Sequence, residues 1–115
     1  MIIGTGIDIV DIDRFTIVFN RHRERFLRKF FTEAEILYSN RYTEVRKIHF
    51  FAGRFAIKEA IAKAFGCGFG AKLKWLDLEI LPDKNGKPML TKNPSVHLSI
   101  SHEKKYAIAQ AILEN

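Results

Sequence analysis

The spacing of apolar and polar positions divides the chain into an opening strand, a helical middle and a closing run of strands. Residues 2–10 (IIGTGIDIV) are β-branched and apolar apart from Gly4, Thr5, Gly6 and Asp8. They predict a buried strand whose glycines let another backbone or a ligand come close. Asp13 is placed to cap a helix starting at Arg14, and Phe15, Val18, Phe19, His22 and Phe26 keep helical spacing to about Phe30. Thr32-Glu33-Ala34-Glu35 matches a capping box and opens a short helix to about Asn40. The strongest helical pattern runs from about Thr43 to Phe65, with Val45, Ile48, Phe51, Ala52, Phe55, Ala56 and Ala62 on its spacing and Gly66 as its stop. Ala52, Ala56 and Ala60 keep part of that surface slim enough for close packing on a sheet.

After a glycine-rich loop at 66–72 the period changes to two. Trp75–Leu81 reads as a half-buried strand, Asp83–Pro88 as a hairpin turn centred on Asn85-Gly86, and Met89–Thr91 as the returning strand. Val96–Ser101 and Tyr106–Leu113 make a further antiparallel pair. The order predicts one α+β domain over residues 1–115, an antiparallel sheet with helices packed on one face.

Composition agrees with that picture. The 115 residues are 47% apolar and 28% charged, as in an ordinary globule, which excludes a disordered chain, a collagen-like repeat and a disulfide scaffold. No apolar run nears the ~20 residues that span a bilayer. Met1 leads straight into the first strand without a basic stretch or a cleavage pattern, so export is not expected. Cys67 is the only cysteine and is read as structural, and a reducing cytoplasmic location fits best.

The formal charge of +6 is concentrated. Between Arg21 and Lys58 ten basic residues stand against four acidic ones, and the rest of the chain is balanced. The excess points to an acidic partner or a phosphate-bearing ligand. Its plainer explanation is a solvated helix face whose arginine stems cover apolar surface.

Two carboxylates carry the candidate chemistry. Glu59 lies in a helix rich in Ala, Phe and Ile, four residues before Lys63 on the same face. Alone, that spacing describes an exposed ion pair worth ~0.3–0.5 kcal/mol. Asp8, however, sits inside an apolar strand, where a carboxylate is costly unless paired, hydrogen-bonded or bound to metal. Asp8 and Glu59 together would form an oxygen site suited to Mg²⁺, with Lys63 and Arg54 supplying charge for substrate phosphates. A metal-free bridge from Asp8 to Lys63 or Arg54 is the equal alternative.

His102 ends the strand containing Ser99 and Ser101, beside Lys104 and Lys105. There it can bind phosphate or donate to a leaving oxygen, or simply occupy a turn. His22, His49 and His97 show no metal-ligand spacing, and the glycines at 66, 68 and 70 are no phosphate-binding P-loop.

Gly4–Val10, the block Phe51-Ala52-Gly53-Arg54-Phe55-Ala56-Ile57-Lys58-Glu59-Ala60 with Lys63–Gly68, the Asn85–Pro88 turn and Ser99–His102 together resemble bacterial holo-[acyl-carrier-protein] synthase. That family is the small, trimeric type of 4′-phosphopantetheinyl transferase. The resemblance implies transfer of phosphopantetheine from coenzyme A to a serine of apo acyl carrier protein, with Mg²⁺ as cofactor and adenosine 3′,5′-bisphosphate as product. By resemblance, Asp8 and Glu59 match the metal ligands, and Lys63 matches a lysine near the reacting phosphate. Arg54, Lys63, Asn85, Gly86, Lys87, Pro88, Ser101 and His102 match the coenzyme A site. Arg14, Arg21 and Arg25 match positions that engage the acidic carrier protein. The resemblance also implies a homotrimer with sites at subunit boundaries. Longer, two-lobed transferases place a second acid where this chain has Val10, and Asp11 points to the other strand face, so two carboxylates should hold the metal. The group that takes the serine proton stays open between a metal-bound water and a carboxylate acting through water.

Two readings of another class compete. One is a basic module for nucleic acid, suggested by a pI near 9.6; the other is a non-enzymatic binder of a carrier protein or membrane surface. The nucleic-acid module leaves Asp8 and Glu59 unexplained, because carboxylates beside the binding face would repel phosphate. Neither nucleic acid nor a membrane is therefore the expected partner.

Overall fold

The computed structural model describes residues 1–115. An opening strand β1 (Ile2–Asp11) is followed by four helices: α1 (Ile12–Arg21), α2 (Arg23–Phe30), α3 (Glu33–Ser39) and the 22-residue α4 (Glu44–Phe65). A short 3-10 turn (Trp75–Asp77) leads to β2 (Ile80–Pro82), β3 (Pro88–Leu90), β4 (Val96–His102) and β5 (Tyr106–Glu114). Strands β1, β5 and β4 form an antiparallel sheet in that order, and β2 pairs with β3 in a separate hairpin.

Helix α4 crosses one face of the main sheet, and two missing side chains set its distance. A Cβ on Gly6 would lie 1.8 Å from the carbonyl oxygen of Ala60, and one on Gly4 would lie 2.1 Å from that of Ala64. Both obstacles are backbone atoms, so only glycine lets strand and helix meet. The close approach buries Ala56, Ile57, Ala60 and Ile61 against Leu98, Ala109 and Ala111. It also brings Asp8, two residues beyond Gly6, beside the C-terminal half of α4.

A second core is aromatic. Phe15, Phe19, Phe31 and Phe51 are buried together, with Phe26, Phe30 and Phe55 packed around them. Phe26–Phe30 and Phe31–Phe51 ring centroids stand 4.7 Å apart. The capping box of Thr32 and Glu35 is formed, Thr43 caps α4, and Gly66 ends it with φ 75°. Gly86 takes φ 83° in the β2–β3 turn, where Asp83 Oδ1 accepts from the amides of Asn85 and Lys87.

Three local expectations yield to tertiary packing. The helix expected from Arg14 to Phe30 is broken at His22 (φ −143°, ψ 63°). Two short helices can bring Phe15 and Phe26 onto Phe55 from different directions, which one straight helix cannot. Its cap is Asp11, whose Oδ1 accepts from the Arg14 amide at 3.0 Å, and Asp13 lies in the first turn. The alternating stretch Trp75–Leu81 pairs only from Ile80. Before that the chain coils, because the Trp75 ring lies flat on Phe69 with centroids 3.8 Å apart and Asp77 accepts from the Lys74 amide. Finally, β1 is an edge strand rather than a buried one. Gly4, Gly6, Asp8 and Val10 face α4, whereas Ile3, Ile7 and Ile9 are 57–61% exposed on the open side. No helix is long and apolar enough to cross a membrane.

Candidate functional site

Two regions of charged side chains border α4. At the first, Lys63 Nζ donates to Asp8 Oδ1 at 3.0 Å and to the Ile7 carbonyl at 2.9 Å. The Asp8–Lys63 bridge, one of the alternatives for an acid in this strand, is therefore formed. Asp8 is 18% exposed and Lys63 53%. Glu59, half-buried one turn before Lys63, lines the same groove as Asp8, a space of about 380 Å³ floored by Phe15 and Phe55. Burial raises the Glu59 carboxyl above its ordinary value, the charge on Asp8 raises it further, and Lys63 pulls it back.

A carboxylate made reluctant to ionise by burial and by a second carboxylate beside it forms with that partner a donor set that a cation would complete. All its ligands are hard oxygens. No third His, Cys, Asp or Glu joins the two. An ion held here would keep its remaining coordination for water and substrate oxygens, the habit of Mg²⁺ more than of Zn²⁺.

The second region lies where the N-terminal half of α4 meets the end of β4 and the β2–β3 turn. A cavity of about 440 Å³ is lined there by Arg46, His49, Arg54, Gly86, Pro88 and His102, among others. The His49 and His102 rings meet edge to face at 5.5 Å. Burial, followed by the nearby His49, Arg46 and Arg54, holds His102 below the usual histidine value. Arg54 donates Nε to the Ile80 carbonyl at 3.3 Å and stacks its guanidinium 4.3 Å from the centre of the Phe50 ring. Burial lowers its pKa, and Glu35 acts in the opposite sense.

The sequence-predicted residues are thus divided between two places. Asp8, Glu59 and Lys63 converge at the α4–β1 contact, with Arg14 on the rim of their groove. Arg54, His102, Gly86 and Pro88 line the other cavity. Asn85, Lys87 and Ser101 are exposed and lie outside its lining. Arg21 and Arg25 are exposed on α1 and α2, and Arg25 stands beside His22, Arg23 and Arg28. No lining residue is common to the two spaces.

Sequence reasoning passed over Arg46 and His49 as cavity residues. Their signal is a helical stripe: positions 46, 49, 50 and 53 recur at i, i+3, i+4 and i+7 and all face the cavity. It also passed over the pairing of Glu35 with Lys58. Both are fully buried, and their charged atoms meet at 2.7 Å. Lys58 gave a hint by standing amid Ala, Phe and Ile; Glu35 looked fully employed by its capping box.

Comparison with known proteins assigns the chain to a family. Residues 4–111 match the 4′-phosphopantetheinyl transferase superfamily. The chain is 49% identical to the holo-[acyl-carrier-protein] synthase of Halalkalibacterium halodurans, across 99% of this chain and 97% of that protein. It is 44% identical to the synthase of Bacillus subtilis over the same shares. Among solved structures, the Bacillus anthracis synthase in complex with CoA (3′,5′-ADP) superposes with a TM-score of 0.90 at 41% identity, covering 100% of this chain and 98% of that one. The Helicobacter pylori synthase in complex with coenzyme A gives 0.78 at 34% identity, covering 93% and 96%.

Proposed function

The chain belongs to the holo-[acyl-carrier-protein] synthases, enzymes of the 4′-phosphopantetheinyl transferase superfamily, and on that premise we propose how its residues carry the transfer. Coenzyme A is the donor and a serine of an acidic apo carrier protein the acceptor. The serine oxygen bonds to the phosphorus that bears pantetheine. The bond from that phosphorus to the bridging oxygen breaks, and adenosine 3′,5′-bisphosphate leaves with the electron pair.

The meeting of Asp8, Glu59 and Lys63 at the α4–β1 contact carries this reading. Asp8 and Glu59 would hold Mg²⁺, which when bound neutralises charge on the diphosphate. Lys63, already tethered to the Ile7 carbonyl, is held where it can balance charge on the leaving oxygens. The serine proton passes to water. Arg54 and His102 bind phosphate in the other cavity, with Gly86 and Pro88 forming the wall beside them. Such chemistry depends on positioning and charge rather than on a covalent intermediate. The exposed Arg14 borders the groove of Asp8 and Glu59, so a carrier docked on Arg14, Arg21 and Arg25 delivers its serine there.

The resemblance implies a homotrimer, and one chain holds the two regions in separate spaces, so in this reading the complete site forms at a subunit boundary, one copy supplying the carboxylates and the next the basic cavity. The open side of the sheet supports that assembly: Ile7, Ile9, Tyr106 and Ile108 form an exposed apolar patch of neighbouring strand positions. The enzyme works as a single cytoplasmic domain. The test is direct. With coenzyme A, apo carrier protein and Mg²⁺, the carrier should gain the mass of one phosphopantetheine, and chelation should prevent it. No gain under any metal condition would contradict the proposal.

A further inference from the structure

Glu35 and Lys58 are a buried ion pair for which the transfer chemistry has no direct use. Both side chains are 0% exposed. Charges this deep persist only where their lone pairs and protons are matched, and these are. Glu35 Oε1 accepts from Lys58 Nζ at 2.7 Å and from the Thr32 amide at 2.8 Å, and Oε2 accepts from the Ile80 amide at 2.9 Å. Lys58 Nζ donates further to the carbonyls of Phe30 and Trp75, at 2.7 and 3.4 Å.

Cohesion alone is a poor explanation, because well-packed apolar residues of similar shape often hold a core as firmly as a buried ion pair. What the ionic arrangement adds is a hold on the backbone at four residues, and at one of them, Ile80, that hold reaches the basic cavity. The Ile80 amide is fixed by Glu35, and the Ile80 carbonyl accepts from Arg54 Nε. Arg54 and Lys58 lie one turn apart on α4, so the same helix anchors both ends of the relay. With Nε committed to Ile80, the two terminal nitrogens of Arg54 have no partner within the protein. They belong to a side chain lining the cavity of His102.

We propose that Glu35 is a positioning residue for coenzyme A: through Ile80 it sets the orientation in which Arg54 offers its terminal nitrogens to phosphate. This rests on the coenzyme A reading above and adds to it a residue that never touches the substrate. Lys58 holds the Glu35 carboxylate in place. A side chain at 35 that cannot accept from the Ile80 amide frees Ile80 and lets Arg54 rotate.

A double-mutant cycle on coenzyme A affinity, measured by calorimetry on the assembled protein, tests this. Arg54→Ala alone should weaken binding roughly ten- to hundredfold, as loss of a charged hydrogen-bond donor does. Glu35→Gln alone strands a buried ammonium and can unfold the chain. The paired variant Glu35→Leu/Lys58→Met removes both charges and keeps the volume filled. It should weaken coenzyme A binding about tenfold in the otherwise native protein, and by nothing further when added to Arg54→Ala. Melting temperatures are recorded beside the affinities, because a merely structural role lowers the melting point without changing the affinity of the folded protein. Unchanged affinity in the folded paired variant, or losses that add to those of Arg54→Ala, overturns the positioning role alone. Full affinity in Arg54→Ala would instead overturn the coenzyme A reading beneath it.

Discussion

Over its N-terminal half α4 turns Arg46, His49 and Arg54 toward a cavity of positive charge; near its C-terminal half it turns Glu59 toward a groove shared with Asp8. Arg54 and Glu59 are five residues apart, which rotates them about 140° around the helix and separates them by about 7.5 Å along it. One region holds cations that lack anions, and the other holds carboxylates met only by Lys63. They also differ in construction. The carboxylate groove depends on backbone contact between glycine and helix carbonyls, whereas the basic cavity depends on side chains anchored by hydrogen bonds and aromatic rings. In the proposed transfer a diphosphate needs both kinds of charge at once, and a helix that presents them on different sides would offer each to a different subunit's edge.

The sharpest way to break the groove is Glu59→Ala. Transfer should fall on the order of a thousandfold with the loss of a proposed metal ligand, and calorimetry should show weakened Mg²⁺ binding. Stability should be unchanged or higher, because burial and Asp8 already disfavour the Glu59 carboxylate in the folded state. A urea melt that collapsed with the activity would contradict that assignment. Gly6→Ala attacks the same region through its geometry. The added methyl collides with the Ala60 carbonyl, so about 3 kcal/mol of stability should be lost in denaturant titration. A fully stable variant would refute glycine's part in setting the strand–helix distance.

The basic cavity responds instead to pH. His102 is held below its ordinary value by burial and by His49, Arg46 and Arg54, with no carboxylate among these influences. An unfolded histidine therefore binds its proton more readily, and the free protein should lose stability as pH falls below about 6.5. Bound phosphate favours the charged ring, so coenzyme A affinity should rise across the same interval. His102→Asn should flatten both trends and weaken binding about tenfold at the acidic end; a binding curve that kept its slope would place the titration elsewhere. The smallest effect belongs to the rim. Arg14→Glu should raise the KM for the carrier protein roughly fivefold and reduce its sensitivity to salt, with the KM for coenzyme A unaltered.

The sequence carried the large periodic features well. Long apolar spacing marked α4, Asn85-Gly86 marked the hairpin, and the glycines of β1 announced a close approach before its partner, the Ala60 and Ala64 carbonyls, was visible. It was weaker where a distant residue decides the local form. The break at His22 answers to Phe55, and the coil at Trp75 answers to Phe69, neither of which a local period contains. Apolar composition alone also could not reveal that Ile3, Ile7 and Ile9 face outward, since it does not say which face of a strand the helices cover. At the candidate site, Asp8 stood out because charge within an apolar strand is costly. Glu35 did not, because a capping box is a sufficient local reason for a glutamate at that position.

The claim that each region is half of a site can be tested by mixing two proteins that are each inactive at a coenzyme A concentration too low to fill the Arg54→Ala site. Glu59→Ala and Arg54→Ala are unfolded and refolded together in equal amounts, then assayed for carrier modification against each variant alone. If a site takes its carboxylates from one subunit and its basic cavity from the next, each mixed trimer has both halves intact at one of its three boundaries, about a quarter of all boundaries in the random mixture, and activity should return to about that fraction of the native level. If the mixture stays as inactive as its components although mixed trimers have formed, both halves serve within one chain and the shared-site account is wrong.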